Sequence, residues 1–161
     1  MRSMRVHELS EDISVLKMED VILPPPGPGQ VRLRLKACSI NFPDILMVQG
    51  KYQFKPELPF APGMEGAGIV LALGSDVKHL KVGDEVVAGL RIGGFAEEVN
   101  ASADACRPIP KGMDFIKAAA YPAAYLTAYV ALVIRGQLKA GETLLVHGST
   151  GGVGMAAVDV G

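Results

Sequence analysis

The stretch Thr143-Leu144-Leu145-Val146-His147-Gly148-Ser149-Thr150-Gly151-Gly152-Val153-Gly154 decides how the chain is read. Its first five residues form an apolar run of the kind that makes a strand buried on both faces in a parallel sheet. Three glycines in GxxGxxG spacing follow at once, and Val153 to Val160 then begins a helix. Strand, glycine turn and helix in that order predict a dinucleotide site. Glycine lets the chain reverse sharply, lets backbone N–H groups approach a pyrophosphate, and lets helix and strand lie close together. The helix N-terminus adds partial positive charge facing the phosphates. A flexible glycine linker is the competing reading, and the apolar segments on both sides argue against it.

Upstream of this stretch the apolar period is about three and a half residues. Asp114 is placed to cap a short helical turn over Phe115 to Ala119, and Pro122 to open a longer helix reaching about Ile134. Ala118 to Ile134 carries no charge, which raises the question of a membrane span. A helix from Pro122 would cover only about 20 Å of a roughly 30 Å hydrocarbon core, so a buried helix of a soluble domain is expected.

Before Asp114 the pattern is that of short strands. Val31, Leu33 and Leu35 alternate with Arg32, Arg34 and Lys36, the period of a strand with one buried and one wet face. Further strands are expected near Met4 to Leu9, Leu16 to Leu23, Val82 to Ala88, Phe95 to Asn100 and Cys106 to Ile109. The Pro24 to Gly29 loop lies between the second of these and the Val31 strand, and a short helix follows from Pro43 to Gln49. Gly63, Gly66, Gly68 and Gly74 punctuate a strand-like run, as where a small barrel bends.

Composition narrows the partners. With 16 Lys and Arg against 17 Asp and Glu, the net charge of −1 offers no basic footprint for nucleic acid or for an anionic membrane. The two cysteines, Cys38 and Cys106, stand far apart without metal-ligand spacing, so neither a disulfide scaffold nor structural zinc is expected, and a reducing cytoplasm is the default compartment. Cys38 reads as a small core residue. His7 and His79 read as solvated, and His147, just before the glycine turn, as a structural neighbour of the cofactor rather than a general acid.

Five segments in order carry a wider resemblance: Ala37-Cys38-Ser39-Ile40-Asn41-Phe42-Pro43-Asp44, Pro62-Gly63-Met64-Glu65-Gly66-Ala67-Gly68-Ile69-Val70, Val82-Gly83-Asp84-Glu85-Val86, Leu126-Thr127-Ala128-Tyr129, and the glycine turn. Together they resemble the zinc-independent branch of the medium-chain dehydrogenase/reductases, close to NADPH:quinone oxidoreductases of the zeta-crystallin type and their enoyl-reductase relatives. The resemblance implies a mainly β, GroES-like catalytic domain over residues 1–125. It implies that residues 126–161 are the start of an α/β Rossmann domain: helix, strand, glycine turn, helix.

It also implies a chemistry. Zinc-dependent relatives have cysteine where this chain has Asn41 and Gly-His-Glu where it has Gly63-Met64-Glu65, and an amide, a thioether and one carboxylate are a poor zinc set. Without zinc, hydride from NADPH, or from NADH, can still reach a quinone or an α,β-unsaturated carbonyl, whose conjugation moves charge onto an oxygen. Tyr52 and Asn41 are the implied catalytic residues. Asn41, Thr127, Gly148, Ser149, Thr150, Gly151, Gly152, Val153 and Gly154 are the implied cofactor contacts, and a homodimer is implied for the complete enzyme. Two departures from the family pattern are Thr150, in place of a smaller residue, and Asp159, where glutamine is common.

Gly161 lies seven residues past Gly154, whereas the residue that reads the ribose is expected about 20 residues beyond such a turn. The span by itself is therefore expected not to catalyse. A GroES-like binding or assembly module without activity is the alternative, and a zinc-type alcohol dehydrogenase a weaker one.

Overall fold

The computed structural model describes all residues, Met1–Gly161, and falls into two compact units, Met1–Ala119 and Ala120–Gly161. In the first unit, β1 (Arg2–Arg5) and β2 (Lys17–Asp20) form an antiparallel pair. Five further strands make one antiparallel sheet: β3 (Gln30–Cys38), β4 (Glu65–Leu73), β5 (Glu85–Gly89), β6 (Glu98–Ser102) and β7 (Cys106–Pro108), in the order β6-β3-β4-β5-β7. The alternation in β3 works as its sequence dictates. Val31 and Leu33 are fully buried with Val70, Val86 and Ala88, while Arg34 and Lys36 face water. Each such valine or leucine contributes on the order of 1.5–3 kcal/mol by leaving water.

Irregular register between Arg32 and Leu33, and again between Leu35 and Ala37, bends β3 against β4 where the glycines of β4 allow it. At Gly68 a Cβ would lie 2.1 Å from the Arg34 carbonyl oxygen, so glycine there is what lets the two strands approach. A short helix, α1 (Phe42–Val48), follows β3. It buries Met47 and Val48 against Val6 and Phe60, a second cluster beside the sheet.

The helical region corrects the sequence reading in two ways. One helix runs without a break over Phe115–Arg135, rather than a short turn followed by a new helix at Pro122. It begins with α2 (Phe115–Tyr121), where Asp114 Oδ1 accepts from the Lys117 N–H at 2.8 Å as an N-terminal cap should. It then widens to π geometry over Pro122–Leu126, passes through α3 (Thr127–Tyr129) and widens again over Val130–Arg135. A proline ring has no N–H and crowds the carbonyl one turn back, and a widened turn relieves that crowding. At the end of the first wide segment the Thr127 N–H serves both Ala123 and Ala124 carbonyls.

The second correction concerns burial. Ala118, Ala119 and Ala128 are buried, yet Leu126 is 62 % and Ile134 57 % exposed. At 21 residues this helix is long and apolar enough, by length and composition, to cross a membrane, so the shortness expected of a helix from Pro122 no longer applies. In the second unit α3 packs against α4 (Gly152–Val160), with Ala128 and Ala156 buried and the Tyr125 hydroxyl donating to Asp159 Oδ2 at 3.0 Å. That bond gives Asp159 a role of its own in place of the usual glutamine.

The run Thr143–His147 forms no ladder. It pairs with no strand, its last residue already belongs to the turn that follows, and Leu145 is 77 % exposed. A parallel strand exists only beside another strand, and the second unit contains none to join.

Candidate functional site

Two groups of sequence-selected residues are organised by the fold, one in each unit. In the first unit, β3 runs out at Cys38 and α1 begins just after Asn41, so Ser39 to Asn41 is the corner between strand and helix. Glu65 opens β4 and is buried, as is Asp44 on the first turn of α1.

Asn41 Nδ2 donates to Glu65 Oε1 at 2.9 Å and to Ser39 Oγ at 3.0 Å, and the Ser39 hydroxyl itself donates to Glu65 Oε1. One turn away the Asp44 carboxylate accepts from the backbone N–H of Asn41 at 2.8 Å and of Gly63 at 3.0 Å, tying the corner to the loop before β4. Burial pushes the Asp44 carboxyl above the ordinary carboxylate range; the nearby charge of Glu65 acts in the same direction, and the two backbone donors act against it.

This arrangement was only partly visible in the sequence. The resemblance points to Asn41 but to neither Ser39 nor Asp44 as a site residue. The Asn41-x-x-Asp44 spacing, in which an N-terminal residue meets an acid three positions on, was the available signal for the second of them.

Tyr52 is not part of this network. Its ring packs on the Val6, Met47, Val48 and Phe60 cluster, and Met64, at the position of the zinc relatives' histidine, packs on the same cluster. His7 lies 2.6 Å from Glu19 at the surface, and His79 faces the Ala103 carbonyl at 3.1 Å.

In the second unit the glycine turn leads directly into α4. The Gly151 N–H returns to the Gly148 carbonyl at 3.1 Å, and the first intrahelical bond runs from Met155 N–H to Gly151 O at 2.8 Å. The amides of Gly152, Val153 and Gly154 therefore precede the helix's own bonding, as helix geometry requires of a first turn. Gly148, Ser149, Thr150, Gly151, Gly152 and Val153 are all exposed, and a cleft of about 490 Å³ runs along the turn between Leu145, His147 and Ala157. Donors, dipole and exposure suit the pyrophosphate of a dinucleotide. Thr127 is exposed on α3 of the same unit, beside a cleft that it shares with Pro122 and Arg135.

The cysteines differ from the core reading given to Cys38. It is exposed, and only Cys106 is buried. Burial pushes the Cys106 thiol up to about 11, and its Sγ donates to the Ser102 carbonyl at 3.4 Å. Although Cys38 as a residue is exposed, partial desolvation of its thiol, and after it the charge of Asp44, raises the thiol above its ordinary value. Iodoacetamide at neutral pH is expected to alkylate Cys38 slowly and to leave Cys106 untouched in the folded chain. Intact-mass measurement with peptide mapping checks this, and prompt labelling of Cys106 would contradict the burial described.

Residues 27–111 match the alcohol dehydrogenase GroES-like domain. The chain is 41% identical over 162 aligned positions to a quinone oxidoreductase of Lama guanicoe, which covers 99% of this chain and 49% of that protein. It is 48% identical over 137 residues to the human synaptic vesicle membrane protein VAT-1 homolog, covering 85% of this chain and 35% of that one. Among solved structures, Escherichia coli quinone oxidoreductase complexed with NADPH superimposes with a TM-score of 0.91 at 34% identity, over 98% of this chain and 48% of the other. The chain thus spans about half the length, or less, of the relatives it matches.

The fold and the matched domain define a medium-chain dehydrogenase/reductase, built on a mostly β GroES-like unit. Within that class, the chain belongs to the quinone oxidoreductase-like family.

Proposed function

We propose that the chain is a portion of an NADPH-dependent oxidoreductase that passes a hydride to a quinone or an α,β-unsaturated carbonyl without zinc. Residues 1–125 would be its catalytic domain and 126–161 the opening part of its nucleotide-binding domain. The observation that carries the reading is the turn Gly148–Gly154, exposed as far as Val153 and leading into α4, with amides free of the helix ladder. The turn would hold the pyrophosphate of NADPH, with NADH as the second candidate. NADPH supplies the hydride when bound, Asn41 and Tyr52 would face the reacting groups, and Thr127 would lie toward the nicotinamide end.

Zinc independence is supported by the donor set. The Asn41 amide is engaged by Ser39 and Glu65, and Met64 is packed among apolar side chains, so neither supplies a zinc ligand. A conjugated acceptor compensates, because its negative charge is delocalised before any proton arrives. A soluble, cytoplasmic enzyme acting on small molecules, a homodimer at full length, is the corresponding setting.

Because Thr143–His147 has no sheet partner, the span alone is expected to hold NADPH weakly and not to turn over. The test follows NADPH absorbance with a benzoquinone, an enone and a saturated ketone as acceptors. It uses the chain as it stands and the same span carried in a polypeptide of its relatives' length. Turnover of the two conjugated acceptors by the longer form is expected. Efficient reduction of the saturated ketone, or stoichiometric zinc in the purified protein, would overturn the proposal.

A further inference from the structure

We infer that Glu65 is a positioning residue that turns the Asn41 amide so that one of its N–H groups is left to donate to the carbonyl oxygen of the acceptor. The inference rests on the reading of Asn41 as a residue that faces the reacting groups, and it says what Asn41 does there.

Asn41 Nδ2 lies 2.9 Å from Glu65 Oε1 and 3.0 Å from Ser39 Oγ. Those two oxygens are themselves joined, the Ser39 hydroxyl donating to Glu65 Oε1, so from Nδ2 they are separated by about 60° or less. The two N–H bonds of a planar amide diverge by about 120°. One N–H therefore serves both oxygens, and the other points away from them. Asn41 is half-buried, so its amide is not closed off from a ligand.

Charge decides which way round the amide stands. Turning it over would aim Oδ1 at the buried Glu65 carboxylate, a repulsion that a low-dielectric corner magnifies. Ser39 could not satisfy a turned amide either, because its own proton is given to Glu65. The corner's backbone is held separately, by Asp44 accepting from the Asn41 and Gly63 N–H groups. Asp44 thus sets where Asn41 stands, and Glu65 keeps its nitrogen, not its oxygen, on the carboxylate side.

A donor fixed in this way suits charge that appears only during reaction. When hydride adds to the β-carbon of an enone, the C=C electron pair moves toward the carbonyl oxygen. That oxygen carries the charge until a proton from water reaches the α-carbon, leaving the saturated ketone and NADP⁺. An N–H already held in place meets the charge without reorganising.

The first test reads the Asn41 side chain in the chain as it stands, by saturation transfer from water to each ¹⁵N-bound Nδ2 proton, at a pH where exchange outruns rotation of the amide. Asn41→Ala assigns the pair. One proton is expected to exchange like an exposed amide and the other at least about tenfold more slowly. In Glu65→Leu the contrast should collapse, and in Glu65→Gln, which still offers an acceptor oxygen, most of it should return.

The second test uses the form of its relatives' length with NADPH and 2-cyclohexenone. Glu65→Leu and Asn41→Ala are each expected to lower kcat at least about tenfold with KM within about threefold, as fits a bond that strengthens in the transition state. Glu65→Leu placed in the Asn41→Ala background should cost little more, because it acts through that amide. Backbone protection in β3 and β4 reports folding; if Glu65→Leu does not fold, the wild-type contrast and Asn41→Ala decide.

The inference is overturned if the two wild-type protons exchange alike, if either folded variant keeps kcat within about twofold of wild type, or if the two losses add in full. If the longer form passes no hydride to the enone at all, the proposed function falls, while the exchange contrast still decides whether Glu65 orients the amide.

Discussion

Gly154→Ala is expected to remove nucleotide recognition from the second unit while leaving the first intact. A Cβ at residue 154 would lie 2.1 Å from the Gly148 carbonyl oxygen, 2.8 Å from its carbonyl carbon and 2.9 Å from Ser149 Cα. All three are backbone atoms of the turn, so no side chain can move aside; the turn must open and carry the Gly148–Gly151 hydrogen bond with it. Val158→Ala, at an exposed position of α4 outside the turn, is the control. In wild type and in Val158→Ala, NADPH should shift the backbone amides of Ser149 to Val153 in an NMR titration. In Gly154→Ala the affinity read from those shifts should fall by about tenfold or more, the equivalent of roughly 1.4 kcal/mol of lost binding. Equal affinities in all three proteins would mean that the turn does not hold the nucleotide.

The second large effect is expected in the sheet. Gly68→Ala places a Cβ 2.1 Å from the Arg34 carbonyl oxygen and 2.9 Å from Leu35 Cα, inside the ladder in which Leu35 stands opposite Gly68. β3 and β4 are the second and third strands of five, so separating them disturbs the cluster of Val31, Leu33, Val70 and Val86. A loss on the order of 4 kcal/mol is expected in urea melts, a large part of a domain's usual stability. Gly89→Ala, on β5 with open space around it, should stay within about 0.5 kcal/mol of wild type. If the two variants melted alike, the close approach of the strands at Gly68 would be wrong.

How much could be read beforehand depends on how local the cause was. The β3 alternation, the capping of α2 by Asp114 and the glycine turn into α4 are set by neighbours within a few residues, and the structure has each of them. Pro122 suits the first turn of a helix by its local chemistry, whereas its cost in mid-helix is absorbed by a wide turn that no local pattern announces. The apolarity of Thr143–His147 predicts a strand, but pairing is a property of two segments.

At the site, Glu65 and Asn41 are 24 residues apart, and nothing in either neighbourhood says that they meet. The resemblance pointed to Asn41. Only the folded chain brings Ser39 and Glu65 to its amide.

The sheet order also has a consequence in time. Arg32 stands beside Ala72 on one side and Asn100 on the other, so the strand that begins the sheet waits for its second neighbour until 68 more residues have been made. Sheets assembled from such distant partners form slowly, and until then β3 has an open edge that could recruit the wrong strand. Arg32, Arg34 and Lys36 place a positive charge at every second position along that edge, so two nascent copies would repel rather than join. The residues that read as the wet face of a finished strand also guard the unfinished one during synthesis.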